Sequence, residues 1–159
     1  MKTIVVLSDT HGNKKAMSKI SDIMLESDYV FHLGDYYRDF VDYAYVLKDK
    51  AFQVTGNCDY RSGDFGVEIV TEIEGVKILA THGDIYGVKR GREKLLKRAK
   101  EIDAKLVFYG HTHQAEIVET DGITFVNPGC LYEYSPQKSF AYVVINDGKI
   151  TAVINDKLF

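Results

Sequence analysis

The sequence predicts an α/β fold in which two mixed sheets pack face to face with helices outside. Short β-branched runs alternate with helical spacing near the start of the chain, and hairpin patterns replace that alternation further on. The strand signals are also too many for one sheet in 159 residues. Residues 4–7 form the first apolar run, and residues 13–25 carry Ala16, Met17, Ile20, Ile23 and Met24 at helical spacing, giving strand then helix. Residues 29–33 repeat the strand signal, residues 40–47 make a weaker helical stretch, and residues 51–54 a third short strand. Residues 67–74 alternate apolar and charged, Gly75 turns the chain and residues 76–80 run apolar, which reads as a hairpin. Over residues 89–102, Leu95, Leu96, Ala99 and Ile102 form one helical stripe, and residues 106–109 are again a strand. The remainder is all strand, at 115–119, 123–126, 140–145 and 150–154, with Asp121-Gly122 and Asp147-Gly148 as turns.

Composition narrows the class. No repeat, linker or Gly/Ser tract divides the chain, so a single domain over residues 1–159 is expected. With 45% apolar residues and 20 Lys+Arg against 23 Asp+Glu, the chain is neither disordered nor a polybasic nucleic-acid binder. No apolar run approaches the ~20 residues of a membrane span. Residues 4–7 are too short for the apolar stretch of a secretory signal. Cys58 and Cys130 form no CxxC, which points to a soluble protein of the reducing cytoplasm without a disulfide scaffold.

Metal-capable side chains follow apolar runs five times: Asp9 with His11, Asp35, Asn57, His82, and His111 with His113. In open α/β sheets ligands bind outside the carboxyl ends of strands, where loops from distant positions converge, so five such loops can build one site. One histidine after a strand reads as an ordinary satisfied polar residue. Four of the chain's five placed this way do not. Each loop also carries a glycine, at Gly12, Gly34, Gly56, Gly83 and Gly110, which lets the backbone approach a ligand closely. Imidazoles mixed with carboxylates suit Mn, Fe or Zn better than Ca, which prefers oxygen alone. Seven ligating side chains exceed the ~4 of a structural zinc site, so two ions sharing Asp35 as a bridge is the economical reading. Two divalent ions, two aspartates and one hydroxide sum to about +1, which attracts an anion, and ions ~3.5–4 Å apart clamp an in-line displacement at phosphorus. Phosphoester hydrolysis is the chemistry favoured.

Asp9-x-His11, Gly34-Asp35, Gly56-Asn57-x-Asp59, Thr81-His82-Gly83 and Gly110-His111-Thr112-His113 resemble the five ordered motifs of the calcineurin-like metallophosphoesterases. The small size, Gly56-Asn57-Cys58-Asp59 and Asn127-Pro128-Gly129 are similar to the compact YfcE-type bacterial and archaeal phosphodiesterase subfamily. The resemblance implies a four-layer α-β-β-α sandwich. It places one ion on Asp9, His11, Asp35 and His113, and the other on Asp35, Asn57, His82 and His111. It implies two divalent ions, Mn2+ first, with Fe, Ni, Zn or Mg as alternatives, and a metal-bound hydroxide attacking a small phosphodiester. A phosphomonoesterase, or a protein-binding scaffold like the retromer subunit Vps29, are the alternative functions. A scaffold freed from catalysis need not keep all seven ligands. A homo-oligomer is compatible with the sequence, which does not fix the state.

Three positions depart from the family pattern. Cys58 stands where many relatives have the histidine thought to protonate the leaving oxygen, Asp84 where many have a second histidine, and Cys130 where related chains have serine. No role for Asp84 follows from the sequence. His32 falls within a strand and reads as a hydrogen-bonded core residue; Asp39 reads as orienting a neighbour or capping a helix, Asp59 as supporting the ligands, and Asn127 as ordering a loop. The basic residues from Lys89 to Lys100 are interrupted by Glu93 and by the Leu95 stripe, the pattern of a solvated helix face rather than a nucleic-acid surface. Tyr36, Tyr37, Tyr60 and Tyr86 lie near ligands in sequence and divide evenly between pocket lining and packing.

Overall fold

The computed structural model describes residues 1–60 and 65–159. Its elements are β1 (Lys2–Leu7), α1 (Lys14–Lys19), α2 (Ser21–Glu26), β2 (Tyr29–His32), α3 (Val41–Leu47), β3 (Ala51–Gln53), β4 (Glu68–Ile73), β5 (Val76–Thr81), α4 (Glu93–Glu101), β6 (Leu106–Phe108), β7 (Glu116–Thr120), β8 (Ile123–Asn127), β9 (Phe140–Asn146) and β10 (Lys149–Asn155). Among the described residues they form two five-stranded sheets, ordered β10-β9-β1-β2-β3 and β4-β5-β6-β8-β7. Both are mixed, because β1, β2 and β3 run parallel, with β9 antiparallel to β1 and β10 antiparallel to β9, while β5, β6 and β8 run parallel between antiparallel β4 and β7.

The apolar runs are continuous because each sheet is covered on both faces. In β1, Ile4 and Val6 point between the sheets, where they meet Phe31, Leu33, Ile78, Ala80, Leu106 and Phe108. Val5 and Leu7 point the other way, against Ala16, Met17, Ile20 and Met24 of the first helical layer. Leu95 and Ala99 of α4 cover Leu79, Val107 and Phe125 on the far side. Four layers result, in the order the sequence predicts.

Two helices differ from expectation. The stretch 13–25 is not one helix: it breaks at Ile20 (φ −111°, ψ 10°), with the Ser18 hydroxyl bonded to Lys15 O and the Ser21 hydroxyl to Ser18 O. Serines that return hydrogen bonds to the backbone compete with the helical ladder. The helix expected from residue 89 starts at Glu93, since Gly87 (φ 65°) and Gly91 (φ 148°) hold non-helical backbone before it. The hairpin turns match: Asp121 (φ 53°) with Gly122 (φ 73°) and Asp147 (φ 49°) with Gly148 (φ 75°) put both central residues in the left-handed region, as two-residue hairpins require.

Candidate metal centre

All seven sequence-predicted residues lie at the carboxyl ends of parallel strands. Asp9 and His11 follow β1, Asp35 follows β2, Asn57 follows β3, His82 follows β5, and His111 and His113 follow β6. Backbone bonds lace neighbouring loops within each sheet, Asp9 N–H to Gly34 O (3.0 Å) and Gly110 N–H to His82 O (3.0 Å). Two more bonds join the sheets: His111 N–H donates to Asp9 Oδ2 (3.1 Å), and His82 Nδ1 lies 2.9 Å from Leu33 O. The ring nitrogen facing a carbonyl must carry a proton, which selects the His82 tautomer whose Nε2 lone pair turns inward.

Two groups of donor atoms form around Asp35. On one side Asp9 Oδ1 lies 3.0 Å from His113 Nε2 and 3.8 Å from His11 Nε2, and His11 Nε2 lies 3.6 Å from Asp35 Oδ2. On the other, His82 Nε2 lies 3.2 Å from Asn57 Oδ1, 3.0 Å from His111 Nδ1 and 3.5 Å from Asp35 Oδ1. Asp9, Asp35 and His82 are buried; His11, His111 and His113 are half-buried, and Asn57 is exposed. The residues fit divalent ions on a direct observation: Asp9 Oδ1 and His11 Nε2 are buried and neither is satisfied by a well-formed hydrogen bond, His113 Nε2 at 3.0 Å pairing with Asp9 Oδ1 only when it carries a proton. A buried polar atom left so is costly unless a cation meets it.

The backbone is bent to aim these atoms. Asp9, His11, Asp35, His111 and His113 all have positive φ, between 45° and 67°, a region that non-glycine residues adopt sparingly and that clusters at functional sites. Gly56 and Gly110 allow the crowding, since a Cβ at Gly56 would strike the Asp35 carboxylate and one at Gly110 the Ser8 hydroxyl and the Asp9 carboxylate.

Neighbouring polar residues hold the ligands. Asp59 accepts from the backbone N–H groups of Tyr36 (2.7 Å), Tyr37 (3.1 Å) and Gly56 (2.8 Å), tying the Asp35 loop to the Asn57 loop. Asp39 accepts from the Thr10 hydroxyl and the Gly12 N–H, both at 2.7 Å, and so positions the loop that carries Asp9 and His11. His32 is buried, takes the Gly34 N–H on Nδ1 (3.2 Å) and therefore donates from Nε2 to Thr10 Oγ1 (3.2 Å). Burial drives its pKa down to about 3, so it stays a neutral spacer. Asn127 donates to Gly110 O and Thr112 Oγ1 and accepts from Gly129 N–H, ordering the loop of His111 and His113. Ser8, which the sequence reading passed over, donates to Asp9 Oδ2 at 2.5 Å.

The electrostatics favour positive charge at this point. Burial works against a charged Asp9, yet the His11 and His113 imidazoles beside it hold its pKa well below the carboxylate range. His113 is correspondingly raised to about 10, first by Asp9 and then by Cys130. Burial and then His82 lower His111, while the charges of Asp9 and Asp84 work the other way. Burial, followed by the Asp35 carboxylate, pushes the Cys58 thiol up to about 11. Cys58 is exposed; its backbone N–H donates to Asp35 Oδ1 at 2.8 Å.

Residues 1–148 match the calcineurin-like phosphoesterase superfamily domain. The chain belongs to that superfamily. Phosphoester hydrolysis supported by divalent metal ions is the superfamily's chemistry, and the donor set agrees with it. Over 143 residues the chain is 28% identical to the probable metallophosphoesterase YsnB of Bacillus subtilis, covering 89% of this chain and 82% of that one. The crystal structure of a predicted phosphoesterase from Streptococcus pneumoniae TIGR4 superposes with a TM-score of 0.82 at 29% identity, covering 98% of this chain and 90% of the other. A Vps29 variant from Entamoeba histolytica shares the fold, with a TM-score of 0.78 at 24% identity and coverage of 97% and 98%.

Of the four tyrosines singled out from sequence, Tyr36 stands against His11, with ring centroids 5.3 Å apart. Tyr37 is a buried packing residue, Tyr86 hydrogen-bonds Glu68, and Tyr60 is exposed. Tyr132 is the residue sequence reasoning missed: its ring meets His11 at 5.1 Å and His113 at 6.3 Å. Its place in the chain, 121 positions after His11, carries no local signal.

Proposed function

We propose that this superfamily member is a phosphodiesterase that works with two divalent ions, Mn2+ foremost. One ion is held by Asp9, His11, Asp35 and His113, and the other by Asp35, Asn57, His82 and His111. The observation that carries the reading is the division of the Asp35 carboxylate, whose Oδ2 faces His11 while Oδ1 faces His82. Bound ions would supply a positive centre that acidifies water and takes up charge from phosphoryl oxygens. The chain's own part is to hold that centre rigid. Ser8 and the His111 N–H fix Asp9, Leu33 O fixes the His82 tautomer, and Cys58 N–H fixes Asp35. Cys58 offers a thiol where a proton donor would stand, which favours esters whose leaving group departs unaided. The substrate is a small phosphodiester of the cytoplasm rather than a nucleic acid, a reading supported by acidic partners that take up three of the basic residues on and beside α4: Arg98 with Glu68, Arg92 with Glu116 and Lys100 with Asp121.

Chelation followed by reconstitution tests this reading. Mn2+ should restore hydrolysis of a diester and Ca2+ should not, because imidazole nitrogen dominates the donor set, and elemental analysis should find two ions per chain. Undiminished turnover by metal-free protein would overturn it. Two bound ions with no turnover on any diester or monoester would favour a Vps29-like scaffold instead.

A further inference from the structure

A groove of about 790 Å³ opens beside His113, between the loop of His111 and His113 and the segment that follows Leu131. Its size falls within the ~300–1,000 Å³ of small-molecule sites. From the metal centre outward the aromatic rings form a relay: His11 to Tyr132 at 5.1 Å, then Tyr132 edge-on to Tyr134 at 5.5 Å. Tyr134 is 79% exposed, so a large aromatic face stands open at the groove rim. Among the described residues lining the groove there is no lysine or arginine; its ionisable side chains include Asp156 and, at the inner end, His113, and Pro136 and Ile154 add apolar surface. A second groove shares Thr112 and Gln114 with the first and is lined by charges of both signs, Lys89 and Arg92 with Glu93 and Glu116. The tyrosine groove is the aromatic one of the two.

We propose that the tyrosine groove is the subsite for one organic arm of the phosphodiester, and that this arm is uncharged and planar aromatic, an aryl or nucleobase ring stacking on Tyr134. The inference rests on the phosphodiesterase reading and names the substrate class for that site. An anionic arm is disfavoured by the Asp156 carboxylate at the groove wall. An alkyl arm would leave the open ring of Tyr134 without a partner, whereas a flat π-system placed against it gains both burial and favourable ring geometry. His113 belongs both to one donor group and to the groove wall beside Tyr132 and Tyr134, so the groove opens directly from the centre.

The test holds the leaving group constant and varies the retained arm. Metal-loaded protein is assayed on bis(4-nitrophenyl) phosphate, thymidine 5′-(4-nitrophenyl phosphate) and methyl 4-nitrophenyl phosphate. Wild type should favour the two aromatic arms over methyl in kcat/KM; Tyr134→Ala should reduce that preference about three- to tenfold, chiefly through KM, and Tyr134→Phe should restore it. Tyr45→Ala, on the outer face of α3 and 85% exposed, should leave the preference unchanged. The aryl and thymidine substrates separate the two sources of the ring. Calorimetric binding of 4-nitrophenyl phosphate against methyl phosphate gives a readout independent of turnover. Equal binding of both by wild type, or a preference that survives Tyr134→Ala, overturns the groove assignment even if diesters are hydrolysed. Preferential aryl binding that requires Tyr134, with no hydrolysis of any substrate, upholds the groove and sinks the phosphodiesterase reading.

Discussion

Asp59→Ala separates the two halves of the proposed centre. The carboxylate accepts three backbone N–H bonds, from Tyr36 and Tyr37 on the Asp35 side and Gly56 on the Asn57 side, at 2.7, 3.1 and 2.8 Å. Each such bond contributes about 1 kcal/mol net, and more where the acceptor is charged, so about 3 kcal/mol is the scale of the lost loop clamp. Asp59 is half-buried and water can replace part of this, so a loss of about 1–2 kcal/mol is expected. Losing residues that orient ligands weakens metal affinity ~10–100-fold, or about 1.4–2.8 kcal/mol, which agrees with that range. The loss should be unequal, because Asp59 holds both Asp35 and Asn57 of one donor group but only the shared Asp35 of the other. Calorimetric Mn2+ titration should then resolve both ions bound more weakly, the one that takes Asn57 by ~10–100-fold and the other by less. Thermal unfolding of the metal-free variant should fall by about 2–4 °C per kcal/mol lost. Two ions bound with wild-type affinity would refute the idea that Asp59 locks the Asp35 and Asn57 loops together.

Asp35→Ala should lower the metal content more than Asp9→Ala, since one carboxylate faces both donor groups and the other only one; equal losses by elemental analysis would argue against the shared role. Cys58→Ala should barely change hydrolysis of a nitrophenyl diester, while Cys58→His should raise activity on alkyl esters selectively, within the ~10²–10⁴-fold range of general acid catalysis; a loss of orders of magnitude in the alanine variant at intact metal content would show a chemical role for the thiol. Glu68 accepts from Arg98 at 2.5 Å and from the Tyr86 hydroxyl, and the Arg98 hydrogen bond leads in lowering its pKa, burial opposing. A depressed folded-state pKa means that this stabilisation is complete above the unfolded value of about 4.3 and is lost as pH falls through the folded value. The difference in melting temperature between wild type and Glu68→Gln should therefore be largest near neutrality and shrink below pH ~4; a gap that widens in acid would contradict the assignment.

Much of this protein was determined by local pattern. Apolar runs of four to seven residues become strands in any context that covers both faces, Asp-Gly pairs demand left-handed turns, and donor types at strand ends announce a metal site before any geometry is known. The break at Ile20 was legible too, in Ser18 and Ser21, had their backbone bonding been weighed against the apolar spacing. Other features have no local signature. That Asp59 ties two loops together, that His32 spaces Thr10 instead of facing the metal centre, and that Tyr132 stands against His11 are outcomes of how one sheet lies on the other. So is the division of the Asp35 oxygens, which depends on backbone held at φ 55° by neighbours from β1 and β3. Periodicity reports which way a side chain faces within its own element. Which residue it meets across the core is a matter of strand register and sheet packing, and these are decided only when segments distant in sequence close upon each other.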